Sequence, residues 1–252
     1  MFKSTQPIFV LLVVFVLGIT ASCSRSDGAY MVMFSEKDGV SASAPTRMIV
    51  TDKFMRIDDG INNNDFLLYD RAQKTIYSVA AENRAILIIE PQVITVKPPK
   101  EFKHEVKTFE LKDSPDIDGK KVTRYTLSTN GKRCYVVFAA KGLMEEVRQA
   151  LIEYREVLAG EQAAMSAFVP LEFQTGCDLA NNVFLPARHL EYGLPVRMED
   201  MTGKVRNLGN YEKNYKADPV LFTLPADYSR YTPAQMRNRE SKAKSAEETP
   251  GT

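Results

Sequence analysis

Short runs of β-forming residues recur about every ten residues between Tyr30 and Pro91, and this spacing constrains the fold more than any other feature. The runs are separated by Asp, Asn and Gly, which favour tight turns. Short strands at regular intervals with such turns are typical of an antiparallel meander. We therefore predict a chain that is mainly β over this region.

One of these runs shows a clear two-residue period. Arg56 and Asp58 alternate with the apolar residues Met55 and Ile57. Alternation of this kind indicates a strand with one face on the core and one face in water. We therefore expect Arg56 and Asp58 to be solvated.

Three more β-rich runs follow over residues 104–112, 121–128 and 133–140. Asn130 and Gly131 lie between the last two runs. Asn-Gly is a strong hairpin signal because both residues accept a positive φ. We therefore predict that residues 121–128 pair antiparallel with residues 133–140.

The hydrophobic period changes from two to about 3.6 over residues 143–168, which predicts a long amphipathic helix. The pattern allows an interruption near Gly160 and an end before Pro170. Glu153 belongs to the polar face, which we expect to be solvated. Apolar residues at spacings of three and four form one stripe: Met144, Val147, Leu151, Tyr154 and Leu158. We expect the stripe to pack on the sheet; a partner-binding or membrane-surface helix is the alternative.

The N-terminal segment has the order of an export signal. Lys3 precedes an apolar run over residues 8–19, small residues occupy positions 20–22, and Cys23 follows. The run has about twelve residues, fewer than the roughly 20 of a transmembrane helix. Residues 1–22 are therefore predicted to be a cleaved signal peptide.

The end of this segment resembles the lipobox of bacterial lipoproteins, in which the cysteine is acylated and becomes the N-terminus. Thr20 stands where the lipobox usually has leucine. The resemblance implies a lipid anchor on Cys23, with residues 23–29 as linker. Because Ser24 follows instead of an aspartate, it also implies the outer membrane of the bacterial cell envelope, facing the periplasm. A plain secretory signal cut at the same bond is the alternative.

The chain has three cysteines, and lipidation of Cys23 would account for the odd one. Cys134 and Cys177 then remain as a pair in an oxidising compartment, where a disulfide is the expected state. A metal-binding role is less consistent with the sequence, because His104 and His189 are isolated and no C-x-x-C motif is present. We expect no metal site and no cofactor.

Charge and motifs argue against two broad classes of function. The chain has 33 basic and 32 acidic residues, and the predicted signal contains one basic residue, so the mature protein has no net charge. We therefore expect no nucleic-acid partner. No G-x-S-x-G, P-loop, H-E-x-x-H or dinucleotide-binding glycine motif occurs, so no catalytic residue is assigned and an enzyme is not expected.

The segments RMIVTDKFMRIDDG, LLYDRAQKTIYSV and LFTLPADY resemble the LolA-like superfamily of lipoprotein carriers and receptors, and more closely its uncharacterised exported domains. The resemblance covers residues 30–232. It implies an α+β domain, mainly β with one long helix, in which an antiparallel meander forms an incomplete half-barrel packed on the amphipathic helix 143–168. Residues 233–252 have the composition of a disordered tail.

Two functions are consistent with this organisation. The first is a non-enzymatic envelope lipoprotein, anchored in the membrane by its N-terminal lipid, with an apolar or acyl ligand in a cavity under the helix. The second is a structural or interaction lipoprotein with a solid core that binds another envelope protein. The presence of a lined cavity distinguishes them.

Overall fold

The computed structural model describes residues 28–38, 41–42, 45–62, 64–98, 102–111, 116–166, 168–170 and 173–239. Thirteen strands in these ranges form one sheet. The strands are β1 (Ala29–Asp38), β2 (Ser41–Ala42), β3 (Thr46–Val50), β4 (Phe54–Asp58), β5 (Phe66–Asp70), β6 (Thr75–Ala80), β7 (Ala85–Ile89), β8 (His104–Glu110), β9 (Val122–Thr129), β10 (Lys132–Ala140), β11 (Leu194–Asp200), β12 (Val205–Tyr215) and β13 (Ser229–Tyr231).

The sheet consists of two antiparallel meanders joined by one long strand. The order is β13-β7-β6-β5-β4-β3-β1-β12-β11-β10-β9-β8, and β2 pairs with β1 beside this path. Strand β1 pairs with β3 on one side and with β12 on the other, both antiparallel. Strand β13 pairs with β7 in parallel, so the sheet is mixed.

The helical segments lie mainly between β10 and β11. Helix α1 spans Glu145–Ser166 and α2 spans Gly176–Leu179. A π-helical turn, Ala180–Phe184, continues α2, and a 3-10 turn covers Arg188–Leu190. A further 3-10 turn, Pro219–Phe222, precedes β13.

The predicted architecture, an incomplete half-barrel packed on one long helix, is wrong. The strands form a single mixed sheet, and the helical residues are divided among several segments. The physical reason is β1, which hydrogen-bonds along both of its edges and so joins the two meanders into one sheet. Helix α1 lies within the predicted range 143–168 and continues through Gly160 without interruption.

The core lies on both faces of the sheet. Successive side chains of β1 point to opposite faces, and apolar side chains of this strand are buried on each face. Val32 and Phe34 belong to the main core, in which the predicted α1 stripe packs against strands from both meanders. Met31 faces the other way and packs with Leu221 of the 3-10 turn. Helix α1 therefore covers one face, and the segment after β12 covers part of the other.

Two local predictions have different outcomes. The Asn130-Gly131 hairpin is confirmed, since both residues have positive φ and Lys132 pairs with Thr129. The predicted disordered tail is wrong at its beginning, because residues 233–239 are helical and Arg237 Nη1 donates to Glu161 of α1 at 2.5 Å. Residues 240–252 lie outside the described residues.

Candidate functional site

A cleft of about 360 Å³ lies between α1 and the sheet. Its apolar lining includes a row across three neighbouring strands, in which Leu67 on β5 is opposite Ile57 on β4, and Ile57 is opposite Met48 on β3. Leu151 and Leu158 of α1 line the cleft from the helix side. The two layers therefore leave an apolar gap between them.

The other part of the lining is polar, and its charged side chains come from β1, from α1, and from the ends of β11 and β12 with the turn between them. Glu36 of β1 accepts hydrogen bonds from Lys204 and from Arg206, whose Nε lies 2.7 Å from Glu36 Oε1. Burial alone would raise the pKa of Glu36, but these bonds lower it below its ordinary value. Asp200 accepts from the main chain of Thr202 at 2.8 Å within its own turn. Glu36 is therefore held as a carboxylate between two basic side chains.

His189 lines the cleft and is 8% exposed. Its Nδ1 has no hydrogen-bond partner among the described residues. Burial, together with the positive charges of Arg155, Arg206 and Arg188, lowers the pKa of His189 to about 3. The imidazole is therefore neutral at pH 7, with a ring nitrogen that is buried and unpaired. Buried polar atoms of this kind are uncommon and call for a partner.

Arg155 brings a positive charge to the cleft from α1. Its Nε donates to Pro186 O at 3.1 Å, and its Nη2 donates to Asn181 O at 2.8 Å and to Asn182 Oδ1 at 3.4 Å. All three acceptors are uncharged. Arg155 therefore fixes the π-helical turn and the loop after it to α1, and these bonds leave its charge without neutralisation.

Arg188 lies beside this site and is 6% exposed. Its Nε donates to Asn181 Oδ1 and its Nη1 to Thr129 Oγ1, both at 2.9 Å. Its Nη1 also lies 3.4 Å from His104 Nδ1. Burial lowers the pKa of Arg188 below its ordinary value. Asn181 thus contacts both guanidinium groups, through its main-chain carbonyl to Arg155 and through its side chain to Arg188.

The predicted disulfide between Cys134 and Cys177 is confirmed, with the two Cα atoms 5.3 Å apart. It ties α2 to β10, directly before the π-helical turn that contains Asn181. Tyr135, next to Cys134, lines the cleft, and its ring centre is 5.4 Å from that of His189. The disulfide therefore supports the part of the cleft that contains Tyr135 and His189, which we call the polar end of the cleft. Cys23 and residues 1–22 lie outside the described residues.

Sequence reasoning did not find the polar end of the cleft. His189 is isolated in the sequence because its neighbours in the cleft come from distant parts of the chain, including Tyr135, Arg155 and Arg206. No spacing pattern connects these positions. The adjacent pair Arg188 and His189 is the only local signal, and it is too short to indicate a site.

A second depression, of about 550 Å³, lies on the opposite side of α1. Charged side chains dominate its lining, and Arg71 pairs with Glu153 there through two hydrogen bonds of 2.8 and 3.0 Å. Although this depression is larger, its charges neutralise one another. The smaller cleft, with its apolar row and the buried Nδ1 of His189 that lacks a partner among the described residues, is the better candidate site.

No family model matches the sequence, and no curated protein gives a significant match. Among solved structures, an uncharacterised conserved protein from Thermus thermophilus is similar with a TM-score of 0.40 and 8% identity, covering 82% of this chain and 91% of that one. PNGF-II is similar in two crystal forms, with TM-scores of 0.43 and 0.40 and 11% identity over 86% of this chain. This chain spans about a third of the length of PNGF-II. None of these similarities assigns an activity.

Among the described residues, no helix is both long and apolar enough to span a membrane.

Proposed function

We propose that this protein is a non-enzymatic lipoprotein of the bacterial cell envelope that binds a small apolar or acyl ligand between α1 and the sheet. The observation that carries the binding role is the apolar row Leu67, Ile57 and Met48, which faces Leu151 across an unfilled gap. The envelope location rests on the export signal and on Cys23.

The size of the cleft limits the ligand. Small-molecule sites in proteins have volumes of about 300–1,000 Å³, so a cleft of about 360 Å³ is at the lower end of this range. A single alkyl chain or a small ring system fits such a volume better than a two-chain lipid. The mixed lining favours a ligand with one apolar part and one polar end.

Binding of N-phenyl-1-naphthylamine, an uncharged apolar fluorophore, tests the proposal on the mature chain with Cys23→Ser. We expect saturable fluorescence enhancement that Leu151→Trp abolishes, because the indole would fill the cleft. Ile152→Trp is the matched control, since Ile152 is the next residue of α1, is half-buried, and is not part of the lining. Equal binding by both variants, or no binding by the parent chain, would contradict the proposal.

The alternative function, binding of another envelope protein, is favoured by one observation. All seven residues of β8 are exposed, including Val106 and Phe109 at 44% and 41%, and β8 ends the strand order. An extended segment of a partner could add to such an edge. A photo-crosslinker at Thr108 should then capture one defined envelope protein, and the same probe at exposed Glu82 should not.

A further inference from the structure

The polar end of the cleft carries more positive than negative charge. Three basic and two acidic side chains line the cleft. Glu36 is shared by two of the bases, Lys204 and Arg206, and Asp200 accepts hydrogen bonds from its own turn. The third base, Arg155, bonds uncharged acceptors. The lining therefore retains a positive charge at Arg155.

A second guanidinium increases this excess from behind the lining. Arg188 is buried, and its closest acceptors, Asn181 Oδ1 and Thr129 Oγ1, are uncharged. Buried charges in proteins are normally paired, because removal from water is costly without a counter-charge. Two guanidinium groups that share Asn181 and lack a carboxylate in their described bonds are therefore a place where an anion would be stabilised.

His189 adds a directional group to this charge. Its unpartnered Nδ1 lies in a side chain that lines the cleft, and a neutral imidazole nitrogen either donates or accepts one hydrogen bond according to its tautomer. The lowered pKa of His189, caused by burial and then by three arginines, is consistent with a positive potential at this point. Because Nδ1 is buried, an anionic oxygen in the cleft would accept a hydrogen bond from the N–H tautomer once the imidazole ring turns towards it, and its charge would relieve the repulsion among the arginines.

We propose that the polar end of the cleft recognises the anionic oxygen group, a carboxylate or a phosphate, of a single-chain amphiphile whose alkyl part occupies the apolar row. This inference rests on the proposed function, since it assigns the ligand class for the same cleft. Arg155 supplies charge from α1, His189 supplies a hydrogen bond, and Arg188 supports both from behind.

Displacement of N-phenyl-1-naphthylamine by decanoate, decyl phosphate and decanol tests the inference, because these share one chain and differ in the head group. We expect decanoate or decyl phosphate to displace the fluorophore at least ten times more effectively than decanol, and the better of the two identifies the head group. The preference should shrink as NaCl is raised. Equal displacement by decanol would overturn the anion inference and leave cleft binding intact, whereas absence of fluorophore binding would contradict the proposed function itself.

Substitutions of Arg155 test whether this residue causes the preference for an anionic head group. Arg155→Gln should reduce the affinity for the preferred anion at least tenfold and leave decanol within twofold, and Arg155→Lys should restore most of the preference. Arg84→Gln is the matched control for net charge, because Arg84 is exposed and pairs with exposed Asp227. Equal losses for decanol and the anion in a folded Arg155→Gln protein would overturn the role of Arg155. If that variant does not fold, the head-group ratio and salt dependence of the parent chain decide the inference.

Discussion

Arg56 and Asp58 form a buried ion pair on one face of β4, with Arg56 Nε 2.6 Å from Asp58 Oδ2. Arg47 of β3 completes the cluster with a second pair to Asp58, and Arg56 also donates to Leu221 O at 2.7 Å. The cluster therefore links β3 and β4 to the 3-10 turn Pro219–Phe222, which covers part of the sheet face opposite α1. The expectation that Arg56 and Asp58 are solvated is wrong, since their exposed fractions are 2% and 6%.

Asp58→Asn should destabilise the protein by about 3–5 kcal/mol, because it removes the carboxylate that balances the buried charge of Arg56. Urea denaturation measures this loss as a lower midpoint. Asp227→Asn, which removes the carboxylate of an exposed ion pair, should change stability by less than about 0.5 kcal/mol. Equal small effects of the two substitutions would contradict the assigned role of the cluster.

The unfolding free energy should depend on pH through His189. Its folded pKa of about 3 is below the ordinary value of about 6.5, so the unfolded chain binds a proton that the folded protein does not. Stability is therefore complete above about pH 6.5 and falls by about 1.4 kcal/mol per pH unit as pH decreases towards 3.

Denaturation curves at intervals between pH 7 and pH 4 check this slope. The variant His189→Gln has no imidazole at this position, so its slope should be smaller by about one proton over the same range. Asp58, whose pKa is lowered by hydrogen bonds from Arg47 and Arg56 despite burial, adds a further loss only below about pH 4. Parallel pH profiles of the parent chain and His189→Gln would show that His189 titrates normally.

The disulfide between Cys134 and Cys177 closes a loop of 43 residues. The double substitution Cys134→Ala and Cys177→Ala should cost about 4 kcal/mol in the chain-entropy model. Because the bridge holds α2 beside β10, we also expect amide hydrogen exchange in the double variant to be faster than in the parent chain over residues 176–190, and unchanged over β3–β7. Unchanged exchange in that region would show that the bridge does not support the polar end of the cleft.

Gly160 permits a close approach between α1 and the segment after β7. A Cβ at this position would lie 2.8 Å from Gln92 O and 3.1 Å from Gln92 N. Gly160→Ala should therefore destabilise the protein by about 1–3 kcal/mol, although alanine is favoured over glycine in helices by about 1 kcal/mol. Thermal unfolding shows directly whether Gly160→Ala lowers or raises the stability of the protein. Glu156→Ala, at an exposed position of α1, should have an effect below about 0.5 kcal/mol, and a gain in stability for Gly160→Ala would contradict the packing.

Features with a local cause could be predicted from the sequence. Asn130 and Gly131 define their hairpin because positive φ is a property of those two residues. The part of the stripe that lies on α1, from Val147 to Leu158, could be predicted for a similar reason, since its period requires only neighbouring turns of one helix, whereas Met144 precedes α1. The pairing of Cys134 with Cys177 followed from the number of cysteines left for an oxidising compartment.

Features that depend on distant pairing could not be predicted. Val32 of β1 is paired with Tyr211 of β12, and no local pattern records this register. Alternation also placed Arg56 and Asp58 on one face correctly but could not show that another segment covers that face. The helical period likewise places Glu153 on the polar face of α1 but does not show that Glu153 pairs with Arg71, which lies 82 residues away in the chain.

Native mass spectrometry of the protein purified from the bacterial envelope tests ligand binding in the cleft most directly. We expect one anionic single-chain amphiphile per protein chain, absent from the variant Leu151→Trp and retained by Ile152→Trp. Tandem dissociation of the complex identifies the head group as carboxylate or phosphate. Protein that is consistently free of ligand in all three forms would contradict a binding function for the cleft.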